Sequence, residues 1–280
     1  MSEASYNPEC LRKVANWTKI KPSHKFDKPR FNPDDVLQDM SLYSPKMTEL
    51  IKNIKELDQS DLAKSGRTYK HFIFSDVKQG GFGAKIIASS FIASGMKLGY
   101  DKKVRLLSDE ELLETKGNNF FLLCSTTVFD GAINVKAKKA ILSKFNQRPD
   151  NIHGDLARFI IMDSGFKEGI DLFDIKYVHI FEPQTSKADQ KQVIGRGTRT
   201  CGQKGLQFHP SKGWPLQVFL YDVTLPTNSG MSADTLFKLY IQSKGIDLRL
   251  FQFADELEKY SIVGAVDYEL NKNIHRFEIE

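Results

Sequence analysis

Residues 119–126, Asn119-Phe120-Phe121-Leu122-Leu123-Cys124-Ser125-Thr126, form an almost continuous apolar run that closes on two hydroxyl side chains. A run this short, without alternation, reads as a strand covered on both faces. Such strands belong to parallel sheets flanked by helices. The chain alternates on either side of it. Upstream, Lys70–Ser75 (KHFIFS) reads as a strand and residues 83–95 (GAKIIASSFIASG) as an apolar helix. Residues 103–107 (KVRLL) read as a strand, and residues 108–115 (SDEELLET) as a short helix with Ser108 and Glu111 at capping-box spacing. Downstream, residues 135–146 (VKAKKAILSKFN) read as an amphipathic helix, and residues 157–163 (ARFIIMD) and 177–183 (YVHIFEP) as buried strands. Residues 186–199 then read as a helix capped by Ser186, and residues 216–223 (LQVFLYDV) as a late strand. Strand and helix in alternation with short connections predict an α/β domain with a mainly parallel sheet between helical layers. Ligands of such sheets bind at the carboxyl ends of the strands. That predicts one crevice shared by residues 75–83, residues 163–171 and the helix carrying Arg196 and Arg199.

Three segments follow from composition and periodicity. Residues 1–44 are rich in Pro, Lys and Asn and read as an extended lead-in or linker. Residues 45–228 hold the α/β domain. Its first helix, within residues 43–57 (YSPKMTELIKNIKEL), has Ser44 as cap, Pro45 at the first position and a stripe of Met47, Leu50, Ile51 and Ile54. Residues 229–280 lack a strand signal and read as a helical extension.

The chain of 280 residues has a net charge of +5, compatible with a polyanionic partner. No apolar stretch approaches the length that spans a bilayer, and the opening MSEASYNPEC lacks the basic flank and apolar core of a secretory signal. Cys10, Cys124 and Cys201 are too scattered for a disulfide framework or a metal cluster. The histidines show no ligand spacing. A reducing compartment and no structural metal are expected.

Residues 192–200, QVIGRGTRT, set Arg196 and Arg199 one helical turn apart behind Gly195. A planar arginine fork matches phosphate oxygens. The pair suits a polyphosphate, and it equally suits a solvated helix face. Residues 76–85 (DVKQGGFGAK) follow a strand and open a helix, as a phosphate-binding loop does. That loop, however, requires Ser or Thr after its Lys, and Lys85 precedes Ile86. Gly80 and Gly81 read either as contacts to a nucleic-acid backbone or as a turn. The basic residues of 136–144 (KAKKAILSK) read as a solvated face or the wall of a nucleic-acid track.

Three ordered motifs carry a resemblance. KHFIFS resembles motif IV, DSGFKEGID (residues 163–171) resembles motif V, and QVIGRGTR fits the Q-x-x-G-R-x-x-R of motif VI in superfamily 2 helicases. The wider wording, with FNQRPDNIHGD (residues 145–155) and AVDYELN (residues 265–271), resembles helicases of nucleocytoplasmic large DNA viruses of poxvirus and mimivirus type. The resemblance covers residues 45–225 and implies the second, C-terminal RecA-like domain of an ATP-dependent motor. It implies Arg199 as arginine finger, Arg196 as its partner on the terminal phosphate, and Gln192 positioning nucleotide or attacking water. It places Gly195, Gly169 and Asp171 at the nucleotide, and Ser75, Lys78, Gly80, Gly81, Asp163 and Ser164 at the nucleic acid.

Two absences qualify that resemblance: the sequence contains neither a G-x-x-x-x-G-K-[ST] loop nor a D-E-x-H or D-E-x-D box. ATP and Mg are therefore expected to be held mainly by an N-terminal RecA-like half, supplied in cis or in trans, with this chain inactive alone. The implied partners are DNA or RNA, as single strand or unwinding duplex, and no membrane; a viral origin would place it in host cytoplasm or virion. The competing expectation is a non-catalytic nucleic-acid-binding or interaction module of a viral transcription complex.

Overall fold

The computed structural model describes residues 8–129, 131–166, 169–184, 187–197, 202–211, 213–214 and 216–224. Its strands are β1 (Lys70–Ser75), β2 (Lys97–Leu98), β3 (Asn119–Leu123), β4 (Phe159–Asp163), β5 (Ile175–Ile180) and β6 (Gln217–Leu220). They form one six-stranded sheet in the order β2-β3-β4-β1-β5-β6, with every adjacent pair parallel. β1, β3 and β4 are buried at every position, so helices cover both faces of the sheet centre. This is a three-layer α/β arrangement with a wholly parallel sheet.

The helices are α1 (Pro8–Asn16), α2 (Pro33–Tyr43), α3 (Pro45–Ser65), α4 (Ala84–Ala93), α5 (Asp109–Leu113), α6 (Val135–Phe145) and α7 (Lys187–Ile194). The chain leaves β1 in one direction, to β2. Every later step runs the other way across the sheet. Right-handed crossovers therefore place α4 on one face and α5, α6 and α7 on the other. Side chains agree. Phe91 of α4 packs edge-on against Phe120 and Phe159, which are register partners on β3 and β4. Lys70, the first residue of β1, points the opposite way and donates to the Phe145 carbonyl of α6 at 2.8 Å. α3 shares the face of α4: its Asp61 accepts the Tyr177 hydroxyl at 2.7 Å.

Three buried polar side chains, Tyr221, His179 and His71, run beneath α3. Asn53 donates to the Tyr221 hydroxyl at 2.8 Å, which turns that proton toward His179 Nδ1, also 2.8 Å away. His179 Nε2 then carries hydrogen and donates to His71 Nδ1 at 2.9 Å. His71 Nε2–H is left facing Asp58 at 3.6 Å. Burial lowers the pKa of both imidazoles, which stay neutral.

Three expectations need correction. Residues 8–44 are not an extended lead-in. They carry α1 and α2, and Trp17, Phe26 and Val36 belong to the main hydrophobic core. Asn32 caps α2 by accepting from Asp34 N, with Pro33 at its first position and two acids in its first turn. Residues 103–107 form no strand. Asp101 binds the amides of Lys103 and Arg105 at 2.8 and 3.0 Å and folds them into a turn, in which Val104 has φ +57°. The helix drawn to residue 199 ends at Ile194, where Gly195 and Arg196 close it with turn hydrogen bonds. The helical extension at 229–280 and Ser186 lie outside the described residues. Among the described residues no helix is long and apolar enough to cross a membrane.

Candidate functional site

The sheet delivers the motifs to two places rather than one crevice. Ser75, at the carboxyl end of β1, is fully buried and donates to Glu182 Oε1 at 2.6 Å. The other Glu182 oxygen accepts the Asp76 amide at 2.9 Å. Asn16 of α1 also donates to this carboxylate, and to the Phe82 carbonyl at 2.9 Å. Arg12 of the same helix binds Asp76 at 2.8 Å and the Pro183 carbonyl at 3.1 Å. Helix α1 thus buttresses the ends of β1 and β5.

Asp163 ends β4 and is likewise turned inward, with 1% of its surface exposed. One oxygen accepts Ser125 N at 2.7 Å and Ser125 Oγ at 2.6 Å, and the other accepts Gly165 N at 2.9 Å. Ser164 donates to the Asp76 carbonyl at 3.2 Å. Ser75 and Asp163 therefore hold the loops of this edge rather than facing solvent. Next to Asp163, burial pushes the Cys124 thiol up to about 11, so it stays protonated.

The glycine loop lies outside this frame. Gly80 and Gly81 take φ +68° and +81°, conformations open to glycine and strained for other residues. Gly83 is required for a different reason: a Cβ there would sit 1.8 Å from the Val77 carbonyl oxygen. Lys78, Gly80 and Gly81 border a cavity of about 260 Å³, whose far wall includes Lys25 and Lys28 from the segment before α2. Lys85 is not a phosphate-loop lysine here, because its ammonium binds Asp27 at 2.6 Å and the Thr127 carbonyl at 2.8 Å.

The second place is the α6–α7 face, toward the amino ends of the strands. Among its described residues the connection from β4 to β5 has no long helix. It makes one 3-10 turn at Ser164–Phe166 and crosses that face. Gly169 takes φ +63°. Asp171 is exposed, and its carbonyl accepts from Asn146 at the end of α6 at 2.9 Å. Helix α7 returns along the same face, so Arg196 meets this crossover. Its Nη1 donates to the Ile170 carbonyl at 3.3 Å, and its own carbonyl accepts Leu172 N at 3.0 Å. Arg196 is 5% exposed, while Gln192, one turn earlier, is exposed. Gly195 has no positive φ; a Cβ there would lie 3.2 Å from the Lys191 carbonyl, tight but not prohibitive. Arg199 lies outside the described residues. The two places are separated by about one strand, ~15–20 Å.

Asp174, which the sequence reading passed over, ties this region down. It is fully buried, accepts a two-pronged bond from Arg148 at 2.7 and 2.8 Å, and also accepts Gly205 N at 2.9 Å. Glu182, Asn16 and Arg12 were missed as well. Only the position of Glu182 directly after an apolar run could have pointed to it. Among the described residues no group of three or more His, Cys, Asp or Glu could hold a metal ion.

Residues 98–201 match the family described as the helicase conserved C-terminal domain. A protein of Acanthamoeba polyphaga mimivirus named for ATP-dependent RNA helicase activity is 33% identical over 100 residues, 36% of this chain and 12% of that protein. A termination factor NPH-I homolog of African swine fever virus is 34% identical over 95 residues, 34% of this chain and 13% of that protein. The matched stretches thus span about an eighth of these relatives' length. The crystal structure of the C-terminal part of the Fun30 ATPase domain aligns with a TM-score of 0.42 at 14% identity, covering 84% of this chain and 65% of that one.

Proposed function

We propose that this chain, whose residues 98–201 match the helicase conserved C-terminal domain, acts as the C-terminal motor half of an ATP-dependent nucleic-acid helicase or translocase. The observation that carries the reading is the contact between motifs V and VI, in which Arg196 is bonded to Ile170 and Leu172 through side chain and backbone. A nucleotide bound against the α6–α7 face meets Gln192, Gly195 and Asp171. Arg199 then supplies charge to the transferred phosphoryl group, where an arginine finger contributes on the order of 10³–10⁵ in rate. Arg196, itself buried, acts first by holding the motif V crossover in register. ATP brings the phosphoryl chemistry. Its phosphates and Mg belong to an N-terminal RecA-like half, since Lys85 is committed to Asp27 and Thr127. Nucleic acid runs along the other edge, over the Lys78–Gly81 loop and Ser164. The relatives' names favour RNA or a transcription complex as the setting.

The test is reconstitution with an N-terminal RecA-like half, followed by nucleic-acid-stimulated ATP hydrolysis. The chain alone is expected to be inactive. In the reconstituted motor, Arg199→Ala is expected to lower kcat by about 10³ or more, and Arg199→Lys to rescue poorly because a point charge replaces a fork. Turnover at ordinary motor rates by the chain alone, or near-normal kcat in Arg199→Ala, would overturn the reading.

A further inference from the structure

Helix α1 is bonded to the segments that leave β1 and β5, and the helicase reading gives it no task. Arg12 and Asn16 lie one helical turn apart and share a face. Asn16 is fully buried. Its side-chain amide donates to the Phe82 carbonyl at 2.9 Å and to Glu182 Oε1. The other Glu182 oxygen accepts the Asp76 amide at 2.9 Å, so one amide–carboxylate pair holds both ends of the loop 76–82. Arg12 binds Asp76 a second time, through its carboxylate at 2.8 Å, and reaches the Pro183 carbonyl at 3.1 Å. Lys13 donates to Gln79 Oε1 at 2.8 Å, in the middle of the loop.

These bonds fall at Asp76, Gln79 and Phe82 and spare the positions between. Lys78 and Gly80 are exposed, and Gly81 is partly so. Those are the residues that the nucleic-acid reading of the loop uses. Arg12, Lys13 and Lys78 also border a cavity of about 270 Å³, which leaves open space beside the helix. Helix α1 therefore fixes the loop without covering its outer side. Gly80 and Gly81, at φ +68° and +81°, have no side chain to restrict them. Within the loop they are held by one 3-10 turn, closed by Phe82 N on the Gln79 carbonyl at 3.4 Å. A loop ordered before it meets its ligand avoids the loss of freedom that ordering costs on binding.

We infer that α1 is a clasp that holds the glycine loop in the form that takes nucleic acid, with Asn16 and Arg12 as its positioning residues; the inference rests on the nucleic-acid reading of that loop. The N-terminal segment then sets how tightly this edge of the sheet binds a strand. Asn16 isolates the role. It is neutral and buried, so it touches no phosphate, and its loss removes no charge. Arg12→Lys keeps the charge beside Asp76 and loses the fork that also reaches Pro183.

The experiment compares the full chain with its Asn16→Ala and Arg12→Lys variants. Amide hydrogen exchange is followed first, without nucleic acid. Labelled oligothymidylate and oligouridylate are then titrated at several salt concentrations. Each variant is expected to speed exchange at Gly80 and Gly81 about tenfold and to leave Leu172, on the α6–α7 face, unchanged. Affinity is expected to fall about threefold to tenfold, with the slope of log K against log salt unchanged because no charge is altered. A merely structural loss would speed exchange at Leu172 as well and would leave the affinity of the folded variant intact. If Asn16→Ala fails to fold, Arg12→Lys decides. The inference falls if loop exchange is unchanged, if Leu172 exchange speeds equally, or if the variants bind as tightly as the unaltered chain. Tighter binding by the variants would mean that α1 covers the loop, and overturns it too. An unaltered chain that binds neither oligonucleotide at low salt would instead overturn the nucleic-acid reading, and this role of α1 with it, so the two failures are told apart.

Discussion

Arg196 and Ile170 are joined across the α6–α7 face: the guanidinium donates to the carbonyl at 3.3 Å, and the Arg196 carbonyl receives the amide of Leu172. The side chain is 5% exposed, so its bonds form away from competing water. Hydrogen bonds to charged groups contribute about 1.5–3 kcal/mol. Arg196→Ala is therefore expected to lower stability by about that amount and to speed hydrogen exchange at the Leu172 amide. Arg196→Lys should fall between, keeping charge but losing the fork. An unchanged denaturation midpoint together with unchanged Leu172 protection would show that the clamp holds nothing.

The glycines of the loop after β1 separate by mechanism. At Gly83 a Cβ meets the Val77 oxygen at 1.8 Å, so the backbone must move. At Gly81 nothing lies within 4 Å, and the cost is only that of φ +81°. Gly81→Ala is expected to cost about 1 kcal/mol and Gly83→Ala clearly more, ~2–4 kcal/mol. Urea denaturation of both variants decides. Equal losses would mean that close approach does not constrain the loop.

Stability should rise with pH through two windows. His71 and His179 have folded pKa values below 6.5, so their contribution is complete above pH 6.5 and is lost as pH falls below it. Burial lowers Lys70 to about 7 from 10.5, so the folded state binds fewer protons between those values and stability climbs across them. Denaturation midpoints at acidic, neutral and mildly alkaline pH should therefore increase in that order. Lys70→Met should reduce the upper rise, to which Lys46, lowered by burial to about 8, also contributes, and leave the lower one. Phe145 O keeps a donor in that variant, because Asn151 also binds it at 2.8 Å. A midpoint independent of pH above neutrality would mean that Lys70 keeps its ordinary pKa in the folded state.

The isolated chain should bind single strands weakly and with little base preference, since backbone contacts carry no sequence information. Each neutralised phosphate on a single strand contributes about −0.7 to the slope of log K against log salt. A half-site making a few such contacts predicts a slope on the order of −2. Lys25→Ala with Lys78→Ala, from the two walls of the glycine-loop cavity, should make that slope shallower by about 1.4. Titrations of labelled DNA and RNA strands at several salt concentrations measure it. No detectable binding at low salt would favour the interaction-module alternative for this chain.

Local periodicity was enough for the strands Lys70–Ser75, Asn119–Leu123 and Phe159–Asp163, and for most of the helices between them. Apolar runs and caps act over a few neighbouring residues, and the parallel sheet follows from their alternation. The order of the Gln192–Arg199 and Asp163–Asp171 motifs was equally legible, because it is a property of the chain itself. The packing of residues 8–44 was not. Trp17, Phe26 and Val36 are too far apart in sequence to form a period, and only the assembled core shows that they meet.

Which way each polar side chain turns was decided by tertiary structure alone. Glu182 gathers Asn16, Ser75 and Asp76 from as far as 166 residues away, and Asp174 gathers Arg148 and Gly205. Buried donors and acceptors must be paired, and the sheet order chooses their partners. For the same reason Ser75 and Asp163, whose residue types suited a ligand, are spent inside the protein. The crossover from β4 to β5 carries Asp171 a full strand length away from Gly80. The sequence named the residues of the motifs; the topology of the sheet assigned them to its two ends.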